Sequence, residues 1–438
     1  MIDLTALKKE ARSKKTSPER LRELAKVDEA LSRAIAKSKN TPSEVLADLA
    51  RSGDMPTRRA VAANPNTKLS DLEHLAGDKQ WTVLKAVALS DNVSDDILNS
   101  LALHDRWTVR EAVAQSSATP QALLVRLGDD AARVRAAVAW HPRTPLATLE
   151  RLAQDSDAGV RSTVAANGNT PLSIVEALAE DASPVVRSGC TSQAAIQRIS
   201  DETLNRLALD GAFSESQKFW ILQGVYSKNR IFGATLAQLV HEPSKMVRET
   251  VARHPNTPPD ALLMLSRDAE EGVRRTVASN EHSPLEALEN LRSDPKIWVR
   301  VRVAENKNTP PGFLEVLAKD ASEKVRTAVA KHPKAPVPVL KELLEDSDAV
   351  VRRTTAHYTR DLALMRTVLH HPAEDMRRML AHNPSLPQDL MHALARDKEA
   401  SVRRALVDNK SLSREVLEVL RSDEDEFVAR RAQRRLDL

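Results

Sequence analysis

The chain is poor in the residues that most protein chemistries need. It has one cysteine, Cys190, in 438 residues, which excludes an intrachain disulfide framework and a cluster of thiolate metal ligands. Glycine occurs 11 times, too thinly for phosphate-cradling loops, and no P-loop, G-x-G-x-x-G, G-x-S-x-G or H-E-x-x-H pattern is present. Aromatic residues make up 3%, so a conventional large aromatic core is not on offer. No apolar run approaches the 18 or so residues that a membrane helix needs, and MIDLTALKKEARSKK at the start has no signal-peptide core. Charge of neither sign prevails. Lys and Arg number 65 against 61 Asp and Glu, for a formal net charge of +4, so no global field demands nucleic acid. These absences lead to the expectation of a cytoplasmic protein without cofactor or metal cluster.

What is abundant is one sentence said many times. GVRSTVAANGNTPLSIVEALAED (159–181) returns as RVRAAVAWHPRTPLATLERLAQD (133–155), MVRETVARHPNTPPDALLMLSRD (246–268), KVRTAVAKHPKAPVPVLKELLED (324–346) and SVRRALVDNKSLSREVLEVLRSD (401–423). The residue after the leading apolar one marks the register: Ser32, Arg58, Leu84, Arg110, Arg135, Arg161 and Arg187, then Arg248, Arg274, Arg300, Arg326, Arg352, Arg377, Arg403 and Ala429. Successive markers stand 26 residues apart, twice 25. A fixed period in this range specifies stacked supersecondary units, each unable to bury its apolar face alone.

Within a unit, Val160, Val164 and Ala165 share one side of a helix, and Leu149, Leu152 and Ala153 mark a second, shorter helix that is α or partly 3₁₀. Between such helices lies a proline turn, as in His141-Pro142-Arg143-Thr144-Pro145. There Thr144 is expected as N-cap with Pro145 at the first helical position, and Thr41-Pro42-Ser43-Glu44 adds the acid of a capping box. The fold class is therefore all-α, an α-solenoid of about sixteen repeats of 25–26 residues, each helix, Pro turn, helix. Residues 1–27 read as an N-terminal capping unit, 28–190 as regular repeats, 191–245 as irregular enlarged repeats, 246–425 as a second regular run, and 426–438 as a capping helix. The irregular stretch follows from the step between Arg187 and Arg248, which is 61 residues, nine more than two periods.

The string V-R-x-x-V-A-x-N/H-P-x-T-P-x-x-x-L-x-x-L-A-x-D, carried over about nine tenths of the chain, resembles the leucine-rich repeat variant family and, more distantly, HEAT-like repeats. The resemblance implies a right-handed superhelix of alternating α and 3₁₀ helices. The period here is longer than the family's unit, and the N-terminal cysteines that hold an iron–sulfur cluster in one branch are missing, so no cluster is implied.

Several columns of the repeat could be taken for sites. The marker arginines, such as Arg161, Arg274 and Arg326, follow aspartates such as Asp155 and Asp157 and are expected to form a structural ladder with acids of their own or a neighbouring repeat. The turn column holds Asn64, His141, Asn167, His254, Asn280, Asn306, His332, His357, His382 and Asn409. Asn and His alternate there as turn hydrogen-bonders would, and not as a coordination sphere. Two residues after the leading apolar, about 200° round the helix, stand Arg353, Arg378, Arg404 and Arg430 in successive repeats. They read either as a solvated face paired with Glu374, Asp375, Asp397 and Glu399, or as an anion-reading track. The irregular middle gathers Phe213, Phe219, Trp220, Tyr226 and Phe232, as filler or as a docking patch. Trp81 and Trp107 hold equivalent places, with Trp140, Arg106, Arg110 and Arg143 near, as repeat-edge cover or as a base-stacking surface.

The expected function is non-catalytic: a scaffold or adaptor binding a partner protein on the extended surface, with Arg353, Arg378, Arg404, Arg430, Phe219, Trp220, Tyr226 and Phe232 as partner-binding candidates. The alternative is a nucleic-acid-binding or base-repair protein that uses Trp81, Trp107, Trp140, Arg106 and Arg110.

Overall fold

Each repeat buries two faces that alternate along the chain. In the helix Ala158–Ala166 the residues Val160, Val164 and Ala165 are buried, and in the helix Leu146–Leu152 so are Thr148, Leu149 and Leu152. Burial of a Val or Leu side chain contributes roughly 1.5–3 kcal/mol, and no single helix of seven to nine residues holds its shape without it. We call the first kind A helices and the second B helices. Successive A helices pack directly on one another, as 132–140 does on 158–166 and 323–331 on 349–358, while each B helix leans on the A helices beside it.

The computed structural model describes residues 4–13, 15–226 and 230–437, the side chains of 4 and 224–226 excepted. Among these residues it contains 34 helices and no strand. All 34 are α-helices, so the B helices are not 3₁₀. Their two turns suffice for i→i+4 bonds, such as Ala153 N–H to Leu149 O at 2.8 Å and Leu149 N–H to Pro145 O at 3.1 Å.

Two compact units divide the chain, Met1–Arg230 and Ile231–Leu438. The boundary lies inside the stretch where the period fails. The first unit opens with the helices Leu4–Ala11 and Pro18–Ala25, where Ser17 caps the second by accepting from Arg20 N–H. It ends with a one-turn helix, Gln193–Ile196, the helix Asp201–Ala208 and the long helix Glu215–Tyr226. The second unit runs in A and B helices from Gly233 to the last helix, Glu426–Leu436, whose N-cap Asp425 accepts from Val428 N–H.

The threonine of the proline turn does not cap the B helix. Pro145 occupies the N-cap position of Leu146–Leu152, with no side-chain cap, and Pro42 does the same for Ser43–Ser52. The buried Thr144 hydroxyl donates backward to Val138 O at 2.5 Å, and Thr41 donates to Ile35 O at 2.6 Å. Thr67, Thr119, Thr170, Thr257, Ser283 and Thr309 do likewise, each to the carbonyl six residues earlier. Each of these carbonyls already accepts one backbone N–H, Val138 O that of His141 and Ile35 O that of Ser38, and the hydroxyl fills its second acceptor position inside the buried turn.

Candidate functional site

What the surface can do depends on which polar groups the repeats consume in holding themselves together. The marker arginines are consumed almost entirely. Arg161 directs Nε and Nη2 at the Asp181 carboxylate, 2.7 and 3.0 Å, and Nη1 at Asp155 O, 2.6 Å, in the preceding repeat. Asp155 in turn receives Arg135 through its carboxylate and Asp157 N–H on Oδ1. The ladder therefore runs Arg110, Asp130, Arg135, Asp155, Arg161, Asp181, Arg187, Asp210 in the first unit. In the second it runs Arg248, Asp268, Arg274, Asp294, Arg300, Asp320, Arg326, Asp346. Arg58 with Asp78, Arg377 with Asp397 and Arg403 with Asp423 belong to it too. The paired guanidinium and its hydrogen bonds hold Asp181 and Asp210 below the usual carboxylate range. Arg110 belongs to this ladder, 2.5 Å from Asp130, and so is not available as a nucleic-acid ligand.

The turn column is consumed too. Asn167 donates Nδ2–H to Ala139 O and accepts Asn169 N–H on Oδ1. His141 copies it: Nδ1 accepts Arg143 N–H at 3.0 Å, which leaves Nε2–H to donate to Ser116 O, also 3.0 Å. His332 repeats the pattern with Lys334 N–H and Asn306 O. Burial lowers the pKa of both rings, and brings His254 down to about 4. His357 and His382 stand five residues after their markers, one short of the column, which elsewhere lies six after. Asn383, not His382, makes the two bonds, to Ala356 O and Thr359 O, and His357 instead sits edge-on to the Tyr358 ring. Among the described residues no group of three or more His, Cys, Asp or Glu could hold a metal ion. Cys190 is buried, its thiol pushed up to about 12 by desolvation, and cannot serve as a nucleophile near neutral pH.

The four C-terminal arginines do not form one free stripe. Arg353 and Arg378 are half-buried between stacked A helices, Arg353 Nε donating to Ala349 O. Arg404 is exposed but paired with Asp425 and lies 5.8 Å from the Phe427 ring centre, and Arg430 pairs with Glu426. Of the acids expected to balance them, Asp397 is engaged with Arg377 and Glu374 with Ser401.

The aromatic middle is dispersed. Phe213 is buried, and Phe219 and Trp220 meet edge to face at 5.5 Å. Trp220 is 66% exposed at the mouth of a cavity of about 550 Å³ with Thr191, Gln193, Ile196, Gln197 and Gln223. Phe232 is in the second unit as N-cap of Gly233–Leu239, and the Tyr226 side chain lies outside the described residues.

A different place gathers charge and apolar surface together. Three A helices of the first unit, Glu29–Lys37, Met55–Ala62 and Trp81–Ala88, border a groove of about 590 Å³. Ala60, Ala63, Ala86 and Leu89 supply an apolar floor, and the Trp81 indole, half-buried, stands at one side. Lys37, Lys39, Arg59 and Lys85 surround it, with Asp91 as the one acid of the lining. Lys85 reaches Glu111 at 4.0 Å. Arg106 lies over the Trp81 ring, 5.9 Å from its centre. Trp107 and Trp140 are 42% and 63% exposed and do not line this groove. The lysines were not singled out by sequence because they occupy different columns, and only the stacking of three repeats brings them to one rim.

The Leucine rich repeat variant family matches the chain at residues 132–157 and 247–270, one stretch in each unit. Among solved structures, the chain is similar to a leucine-rich repeat variant described as having a novel repetitive structural motif. The two are 27% identical over 51% of this chain and 88% of that one, with a TM-score of 0.37. It is also similar to Kap121p bound to RanGTP, at 11% identity over 98% of this chain and 56% of that one, TM-score 0.40. Kap121p alone gives 12%, 88% and 47%, TM-score 0.33. No curated protein sequence matches. The repeats are thus of the leucine-rich repeat variant kind at 132–157 and 247–270, and the ladder and turn bonds found there recur in the other regular repeats.

Proposed function

We propose that the chain is a non-catalytic scaffold that binds a partner protein on its A-helix layer. One observation carries this reading. None of the five tryptophans is buried, and four, Trp107, Trp140, Trp220 and Trp298, are 42% exposed or more. Four of the five lie on A helices, and Trp220 lies on the long helix Glu215–Tyr226. An exposed indole in a chain so poor in aromatics costs solubility and gives no core packing, whereas indoles dominate binding energy at protein interfaces. The ladder and the turn column use their polar groups internally, so this reading needs no general acid, base or nucleophile. Stacked repeats hold the surface in place before binding, which lowers the ordering cost of association. Among the described residues no helix is long and apolar enough to cross a membrane.

The test is capture from a native lysate after nuclease treatment, with the wild-type chain and with a Trp140→Ala, Trp298→Ala variant side by side. A protein retained in stoichiometric amount by the first and lost from the second supports the scaffold. Nucleic acid retained without protein, in samples spared the nuclease, overturns it in favour of a nucleic-acid binder.

A further inference from the structure

We infer that the groove between the helices Glu29–Lys37, Met55–Ala62 and Trp81–Ala88 is a docking site for an acidic, aliphatic-bearing linear segment of a partner protein. The inference rests on the scaffold reading and names the chemistry that one of its surfaces takes. Lys37, Lys39 and Arg59 are exposed and pair with no carboxylate among the described residues, which sets them apart from the ladder arginines. Lys85, half-buried, has Glu111 only at 4.0 Å. Four cations thus face one acid, Asp91, around a cavity of about 590 Å³. In a chain whose charges otherwise nearly balance, a local excess of one sign at a concave place draws the opposite sign by complementarity.

The floor decides what kind of anion fits. Beneath the cations lie Ala60, Ala63 and Ala86 with Leu89, which is 43% exposed. An occupant must cover methyl groups as well as neutralise a basic rim, and a peptide alternating carboxylates with Leu, Ile or Val does both. Single-stranded nucleic acid fits less well, because it needs successive aromatic faces on which bases stack. Only one aromatic is here. Trp81 is half-buried, Arg106 stands over its ring, and the next indole, Trp107, is not part of the groove. Pro56 and Pro65 at the margins restrict backbone motion, so the groove does not have to be built on binding.

The experiment measures binding of a fluorescein-labelled glutamate–leucine peptide to the full chain by anisotropy. A lysine–leucine peptide and a labelled oligothymidylate serve as the other probes. The expected result is saturable binding of the acidic peptide alone, weakened about tenfold or more by Lys37→Glu with Arg59→Glu. Both positions are exposed, so the double variant should keep the wild-type melting curve, and Arg275→Glu with Lys319→Glu, both exposed and outside the groove, is the charge-matched control that leaves binding unchanged. Binding of the oligothymidylate in preference to the acidic peptide overturns the inference in favour of a nucleic acid. So does acidic-peptide binding that the double variant leaves intact. Failure of every probe overturns the groove while leaving the captured partner and its dependence on Trp140 and Trp298 standing.

Discussion

Arg326 and Asp346 are joined by two parallel bonds, Nε to Oδ2 at 2.7 Å and Nη2 to Oδ1 at 2.9 Å, while Arg326 Nη1 donates to Asp320 O in the repeat before. Both side chains are 13% exposed or less. One guanidinium therefore ties two repeats together, and a charge this covered is costly to leave alone. The chain itself contains the alternative solution, since the marker Leu84 is followed twenty residues later by His104, whose Nδ1 accepts Arg106 N–H as an Asp Oδ1 would. Arg326→Leu and Asp346→His should each lower unfolding free energy by about 2 kcal/mol, and the double variant by less than their sum. Urea denaturation of the four proteins gives the coupling, and strict additivity would dismiss the ladder as a stabilising element.

The ladder is half-replaced at one step. Arg352 keeps its bonds to Asp346 O and Ser347 O, but where the next aspartate would stand the chain has His371, with Nδ1 accepting Ala373 N–H. Arg377 Nη1 donates to His371 O as Arg352 does to Asp346 O, so the backbone geometry is kept. His371→Asp should complete the ladder and raise stability by about 1 kcal/mol. A melting temperature at or below that of the wild type at pH 7 would contradict this.

Thr309 is fully buried and its hydroxyl reaches Val303 O at 2.5 Å. Thr309→Val keeps the shape and removes the donor, leaving Val303 O with the Asn306 N–H alone, and should cost about 1 kcal/mol. Thr309→Ser should cost less, because Ser283 already makes the same bond to Val277 O. Equal stability of the Val and Ser variants would show the hydroxyl to be idle.

The repeat, its two helices and the structural use of the Arg and Asn/His columns were legible because each depends on local spacing that recurs. The threonine was misjudged for a physical reason: the same residue stands four positions after one helix and two before the next, and sequence does not say which backbone group its hydroxyl reaches. Arg353 and Arg378 were misjudged because position around an isolated helix defines its exposed side, but an A helix stacked on both flanks exposes only part of that side. The basic groove was invisible because Lys37, Arg59 and Lys85 are neighbours only across repeats. His254 and His332 could be placed in the turn, yet their buried state, and so their response to acid, came from the packing around them.

That response gives the last prediction. His141, His254 and His332 each accept a backbone N–H on Nδ1, from Arg143, Asn256 and Lys334, and a second proton on the ring would abolish that bond inside a buried turn. All three pKa values are lowered, His254 to about 4, with burial as the first cause. In the unfolded chain these rings take a proton at about pH 6.5, so below that value the unfolded state binds more protons than the folded one. Stability is thus complete above about pH 6.5 and is lost as pH falls toward the folded pKa. For His254 the loss is on the order of 3 kcal/mol by about pH 4. The ladder aspartates act lower: the pKa values of Asp268 and Asp346 are depressed below the ordinary 3.8, so their contribution persists through this window and fails only beneath it. Asparagine already fills the same column at Asn167, Asn280 and Asn306 without titrating. His141→Asn, His254→Asn and His332→Asn combined should therefore leave stability at pH 7.5 nearly unchanged and flatten the decline between about pH 6.5 and 4.5, measured by urea denaturation across that range. An equally steep decline in the triple variant would place the acid sensitivity outside the histidine column.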